Sequence, residues 1–98
     1  MTRAIISFDT ELSAGLHRRG ASARANFESS VLGRCRDGDF GIHFQMDMLD
    51  RFGLKGVYFV DPMPALVHGP AIIDAIVGPI LARGHEVQLH LHTEWLEF

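Results

Sequence analysis

The sequence predicts an α/β protein built on a parallel βαβαβ unit, and three observations lead to this fold class. Short apolar segments at 3–8, 55–60 and 86–91 have the length and composition of buried strands. Segments at 39–52 and 70–83 carry apolar residues at helical spacing and lie between those strands. The connections from helix to strand are short, which favours right-handed crossovers and a parallel sheet.

The first strand, RAIISF at 3–8, is predicted to be fully buried because it is an apolar run without alternation. It leads directly into two acids, Asp9 and Glu11. Residues 12–37 have no clear period and hold five of the nine basic residues. We predict an arginine-rich surface loop there, with one helical turn at 21–27; its arginines face solvent or receive an anionic substrate.

The first helix is predicted at 39–52, with Asp37 or Asp39 as its N-cap and Gly53 at its end. Its predicted buried stripe consists of Ile42, Met46, Leu49 and Phe52. The second strand, 55–60, ends at Asp61, which is interpreted as a turn residue or as part of a site on the same rim as Asp9.

The second helix, 70–83, begins with a proline and ends at Gly84. The third strand, 86–91, follows it. In a parallel sheet the functional sites form at the carboxyl ends of the strands.

Size and charge restrict the class of protein. The chain has 98 residues, which is one domain at most, and 47% of them are apolar. A net charge of -3 and a pI near 6.0 argue against a nucleic-acid or membrane-surface binder. One cysteine, no signal-peptide pattern and no apolar run of about 18 residues predict a cytoplasmic protein without disulfides or membrane spans.

The segment GHEVQLHLHTEW at 84–95 carries the strongest chemical signal. His90, His92 and Glu94 follow at a spacing of two, which places them on one face of an extended strand end. Asp9 and Glu11 end the first strand. Because parallel strands end at one rim, these two imidazoles and three carboxylates are expected to form a metal site.

A divalent metal held by Glu11, His90 and one further ligand would keep open positions for water and substrate. Such a metal acidifies bound water and polarises a carbonyl, and Asp9 is the candidate base that takes the water's proton. The alternative is that His90 and His92 only face solvent. Trp95 is interpreted either as a stacking surface for a sugar or as an anchor of the rim to the core.

Three motifs resemble the start of the polysaccharide deacetylases, carbohydrate esterase family 4 or the NodB homology domain. SFDTE at 7–11 resembles the family's first motif, and MLDRFGLKGVYFVDP at 48–62 resembles its passage from helix to strand. GHEVQLHLHTEW at 84–95 resembles its second motif, in which Gly-His-Glu precedes a His-x-x-x-His pair. The motifs agree with the family in order and spacing.

The resemblance implies that the chain forms the first part of a distorted (β/α) barrel and belongs to a metal-dependent deacetylase, with zinc as the expected metal. It implies that Asp9 is the catalytic base and that Glu11 and His90 bind metal. The family's second histidine falls at Glu94, so either Glu94 binds metal or His92 replaces it. The implied substrate is an N-acetylated carbohydrate or a related small amide.

The family's later motifs, which supply an arginine, pocket residues and a histidine general acid, do not follow Phe98. The chain is therefore expected to be a partial domain, with oligomerisation as one way to cover its open sheet edges. Two alternatives stay open. Asp9-Thr10-Glu11 also fits the D-x-E motif of DnaQ-like 3′–5′ exonucleases, and Glu94 in place of histidine fits a non-catalytic, deacetylase-like binding module.

Overall fold

A computed structural model describes residues 2–96 of the chain. Within these residues, a three-stranded sheet and a two-stranded sheet are combined with five α-helices. In chain order the elements are β1 (Ile6–Thr10), α1 (Ala14–Arg18), α2 (Ala23–Ser30), β2 (Arg34–Cys35), β3 (Gly38–Asp39), α3 (Ile42–Arg51), β4 (Gly56–Val60), α4 (Ala65–His68), α5 (Ala71–Ala82), β5 (Glu86–Leu89) and a 3₁₀ helix (Thr93–Trp95).

The main sheet is parallel and has the strand order β1-β4-β5. Residues 6–10 of β1 pair with residues 56–60 of β4. Residues 57–60 of β4 pair in turn with residues 86–89 of β5. The predicted α/β class and parallel sheet are therefore confirmed. The three strands form an open sheet, so no barrel is closed within residues 2–96.

One face of this sheet carries the core. Tyr58 and Val60 point to that face and pack with the buried residues of α3 and α5. The core residues of these two helices are Ile42, Met46, Leu49, Ile76 and Ile80. On the opposite face, Ser7 and Asp9 are exposed and Phe59 is half-buried, so the described residues leave that face open.

The first strand begins and ends later than predicted. The ladder to β4 extends through Thr10, so Asp9 lies inside β1 rather than after it. The expectation of a fully buried strand is wrong as well, since Ser7 and Asp9 lie on the open face. At the other edge, β5 ends at Leu89, two residues earlier than predicted.

The segment 12–37 differs most from its prediction as an arginine-rich loop, although the helical turn predicted at 21–27 falls largely within α2. The segment forms α1, α2 and strand β2, which pairs with β3 directly after the segment. Ser13 and Ser22 cap the two helices by accepting hydrogen bonds from Leu16 and Ala25, and buried Asn26 joins α2 to the backbone of Ser13. These short helices depend on capping and on one long-range amide contact, which apolar periodicity does not reveal.

The helix predicted at 39–52 begins at Ile42 and ends at Arg51. Neither predicted aspartate caps it. Asp39 lies in β3 and binds Arg34 through two hydrogen bonds of 3.1 Å. Phe52 follows the helix and is 65% exposed, so it does not belong to the buried stripe. Among residues 2–96, no helix combines the length and apolarity that a membrane span requires.

Candidate metal centre

The candidate ligands come from the two outer strands of the sheet. Glu11 follows β1, and His90 and His92 follow β5. Beyond the regular ladder, the Asp61 N–H donates to the Thr10 carbonyl at 3.2 Å, and the His90 N–H donates to the Val60 carbonyl at 3.1 Å. These bonds hold the ends of both outer strands against β4, so the side chains that follow meet at one rim.

Glu11, His90 and His92 each offer one ligand atom, and these three atoms lie within 4.8 Å of one another. The His92 Nε2 atom is 2.7 Å from Glu11 Oε2 and 2.9 Å from His90 Nε2. All three side chains are half-buried. The three residues are therefore close enough to hold a metal ion, as the sequence predicted for Glu11 and His90.

One nitrogen of this cluster has two close polar partners. The His92 Nε2 atom faces two partners, yet in a neutral imidazole it carries either one proton or one lone pair. A cation satisfies all three atoms at once, since each then directs a lone pair at it. Around a tetrahedral zinc with bonds of about 2.0–2.1 Å, nitrogen ligands lie roughly 3.3 Å apart. The observed separations of 2.7 and 2.9 Å are shorter, so the side chains would move slightly apart to admit the ion.

The Glu11 carboxylate is sensitive to its surroundings. Burial raises its pKa above the ordinary value of 4.5, because the charged form loses water. The His92 and His90 imidazoles act in the opposite direction, and the carboxylates of Asp61 and Asp9 raise the pKa further. Several carboxylates therefore act on one another at this rim, which is the electrostatic setting that a divalent cation favours.

Asp9, the predicted base, lies beside the cluster on the open face of the sheet. Its Oδ2 atom is 3.8 Å from His90 Nε2, and its side chain is 65% exposed. Phe59 pairs with Asp9 in the ladder, and its ring meets the His90 ring edge-on at 6.5 Å. Asp9 thus combines access to solvent with closeness to the candidate ligands.

The geometry favours His92 over Glu94 as the third ligand. Glu94 lies behind His92, with its Oε1 atom 3.4 Å from His92 Nδ1. A carboxylate on the outer ring nitrogen fixes the tautomer of a ligating histidine and leaves the other nitrogen free for metal. Glu94 is therefore placed to orient His92.

Trp95 is 6% exposed and forms the end of the 3₁₀ helix. Its ring lies 5.3 Å from the His17 ring and 6.0 Å from the His68 ring. This burial matches the anchor interpretation. Trp95 also lines two cavities, of about 320 Å³ and 220 Å³, and Glu94 lines both with it. The smaller cavity reaches Glu11 and His92.

The fold gives His17, His68 and Asp61 surroundings that their positions in the sequence did not show. His17 and His68 were without partners in sequence, and the fold brings them together against Trp95. Asp61 accepts a hydrogen bond from the Met63 N–H at 3.0 Å, which confirms its turn role. It is also fully buried next to the segment of His92. The sequence signal for this position was that Asp61 directly follows the second predicted strand, on the same rim as Asp9.

Fold and site together define a small α/β protein with a histidine–carboxylate cluster at the rim of a parallel sheet. Comparison with protein-family models, with curated proteins and with solved structures found no match to this chain. The resemblance to polysaccharide deacetylases rests on the three sequence motifs.

Proposed function

We propose that this chain carries the metal-binding half of a deacetylase that hydrolyses the amide of an N-acetylated carbohydrate or a related small amide. The observation that supports this most strongly is the convergence of Glu11, His90 and His92 at the carboxyl ends of parallel strands. Asp9, on the same rim, adds a solvent-accessible carboxylate. Two imidazoles and a carboxylate are a donor set that suits zinc.

Each residue has a separate part in the proposed chemistry. Glu11, His90 and His92 hold the metal, and Glu94 orients the His92 ring through Nδ1. Bound zinc would acidify water and polarise the amide carbonyl. Asp9 accepts the proton of the attacking water, because its exposed carboxylate faces the cluster from β1. The cavities beside Trp95 provide room for the rest of the substrate.

We further propose that the three strands are the first part of a (β/α) barrel. The parallel strands follow one another in the order β1-β4-β5, and α3 and α5 pack on one face. The open face, which holds Asp9, would then line the barrel interior. Further strands, from the same polypeptide or from a second copy, would pair with the free edges of β1 and β5.

The first test is the metal content of the purified protein. We expect about one zinc per chain, and its loss in His90→Ala, because His90 supplies one of the three donors. His43→Ala is the matched control, since His43 is exposed on α3. A weak Mg²⁺ site that depends on Asp9 and Glu11 but not on His90 would contradict the proposal and favour the exonuclease.

The second test separates metal binding from hydrolysis. Asp9→Asn should keep its zinc and lose about 10²–10⁴-fold in acetate release from an N-acetylated oligosaccharide. Glu94→Gln should weaken zinc binding by about tenfold through the His92 ring. Full zinc binding without acetate release from the unaltered protein would instead favour the non-catalytic module.

A further inference from the structure

Asp61 ends the central strand of the sheet, between the two strands that supply the candidate ligands. On one side its backbone N–H donates to the Thr10 carbonyl at 3.2 Å, next to Glu11. On the other side its Oδ1 atom lies 3.5 Å from the His92 N–H. Strand β4 provides no ligand to the cluster, yet the residue that follows it contacts both outer segments, through its backbone N–H on one side and its carboxylate on the other.

The contact to His92 continues the ladder where the backbone of β4 turns away. In a parallel ladder the N–H groups of alternate residues bond to the neighbouring strand. The His90 N–H donates to the Val60 carbonyl, so the next N–H in this series belongs to His92. Pro62 begins a turn at that point, and the Asp61 carboxylate stands in place of a backbone carbonyl.

The other oxygen of Asp61 has no role in this ladder. Asp61 is 0% exposed, and among residues 2–96 no protein group forms a hydrogen bond with Oδ2. A buried carboxylate oxygen without a donor is costly, and buried charges in proteins are usually paired or act on a metal. The charge of Asp61 is also one of the influences that raise the pKa of the Glu11 carboxyl.

We propose that Asp61 is a positioning residue of the metal centre, whose buried charge favours a divalent cation at Glu11, His90 and His92. The proposal rests on the metal site described under the proposed function. The charge is compensated when the cation is present and is a cost to the fold when the cation is absent. The affinity for the cation therefore depends on the residue that directly follows the central strand.

Asp61→Asn tests the charge separately from the turn. The amide keeps an oxygen that accepts from Met63 and His92, so the turn and the ladder contact are retained. The negative charge is lost, and an N–H₂ group takes the place of Oδ2. Asp61→Ala removes the charge and both acceptor contacts. Glu86→Gln is the matched control, because Glu86 is an exposed acid at the opposite end of β5, four residues from His90.

The measurement is zinc affinity by competition with a chromogenic chelator, together with the urea midpoint of the metal-free protein. We expect Asp61→Asn to bind zinc about tenfold more weakly, with a metal-free midpoint that is equal or higher. Asp61→Ala should lower both quantities. Glu86→Gln should leave zinc affinity unchanged.

Zinc affinity that is unchanged in Asp61→Asn would overturn the proposal and leave Asp61 as a turn residue. A lower metal-free midpoint in that variant, or its failure to fold, would also overturn it, because the charge would then stabilise the fold without metal. If the unaltered protein binds no zinc, the proposed metal site fails as well. Zinc binding that depends on His90 but ignores Asp61 would overturn this inference alone.

Discussion

At the scale of single residues, His92 has the most contacts in the site. Its Nε2 atom lies within 2.9 Å of Glu11 and His90, and its Nδ1 atom is 3.4 Å from Glu94. Its backbone N–H donates to the Asp61 carboxylate at 3.5 Å. A histidine with polar partners near both ring nitrogens and at its backbone N–H is restricted in orientation. Such restraint is a condition for metal ligands with defined geometry.

Tyr58 allows a spectroscopic test of burial, because it is the sole tyrosine of the chain. It is fully buried, and burial raises its pKa from 10.0 to about 12. A raised pKa means that the folded state keeps the phenol neutral while the unfolded state ionises. The contribution of Tyr58 to the free energy of unfolding is therefore fully present below pH 10 and is lost as the pH rises to about 12.

We expect tyrosinate absorbance of the native protein to develop with a midpoint near pH 12, and that of the urea-unfolded protein near pH 10. Circular dichroism recorded in the same titration shows whether the fold persists. Native protein that ionises near pH 10 with its fold intact would contradict the burial of Tyr58.

At the scale of elements, His85 joins strand β4 to helix α3. Its Nδ1 atom accepts a hydrogen bond from the Gly56 N–H at 3.0 Å, so its Nε2 carries the proton and donates to Asp50 at 2.9 Å. Arg83 donates to the same aspartate at 2.7 Å. These bonds hold the turn before β5 against the end of the sheet that lies opposite the candidate metal centre.

His85→Ala should lower the free energy of unfolding by about 1–3 kcal/mol, because it leaves the buried Gly56 N–H without an acceptor. Urea unfolding followed by circular dichroism measures this value. His43→Ala, at an exposed position of α3, should change it by less than about 0.5 kcal/mol. An equally small effect of His85→Ala would show that this contact does not stabilise the junction.

At the scale of the whole molecule, a metal ion would link the two outer strands across β4. Glu11 belongs to the β1 side and the two histidines to the β5 side. Because the unfolded chain does not hold these residues together, zinc should stabilise the fold. The expected gain is about 2.7 kcal/mol when free zinc is about 100 times the dissociation constant.

Thermal unfolding with and without zinc checks this expectation. The midpoint of the unaltered protein should rise with zinc concentration, and that of His90→Ala should rise far less. A midpoint that rises equally in both proteins would show that zinc acts elsewhere on the chain.

Much of the central architecture was predictable from local pattern. The three apolar runs that become strands, and the helical spacing of Ile42, Met46 and Leu49, are visible in the sequence itself. The segment 12–37 was not predictable in this way. Its helices are held by the buried amide of Asn26 and by serine caps, and these contacts give no apolar period.

The sequence by itself determined the parallel βαβαβ order and the types of residue at the strand ends, because strand and helix periods and the alternation of side chains are local properties. Only the tertiary structure decided that His92 meets Glu11, that Glu94 stands behind His92, and that Asp61 is buried. These relations depend on the register of three strands that are far apart in the chain, and register is set by packing across the whole sheet.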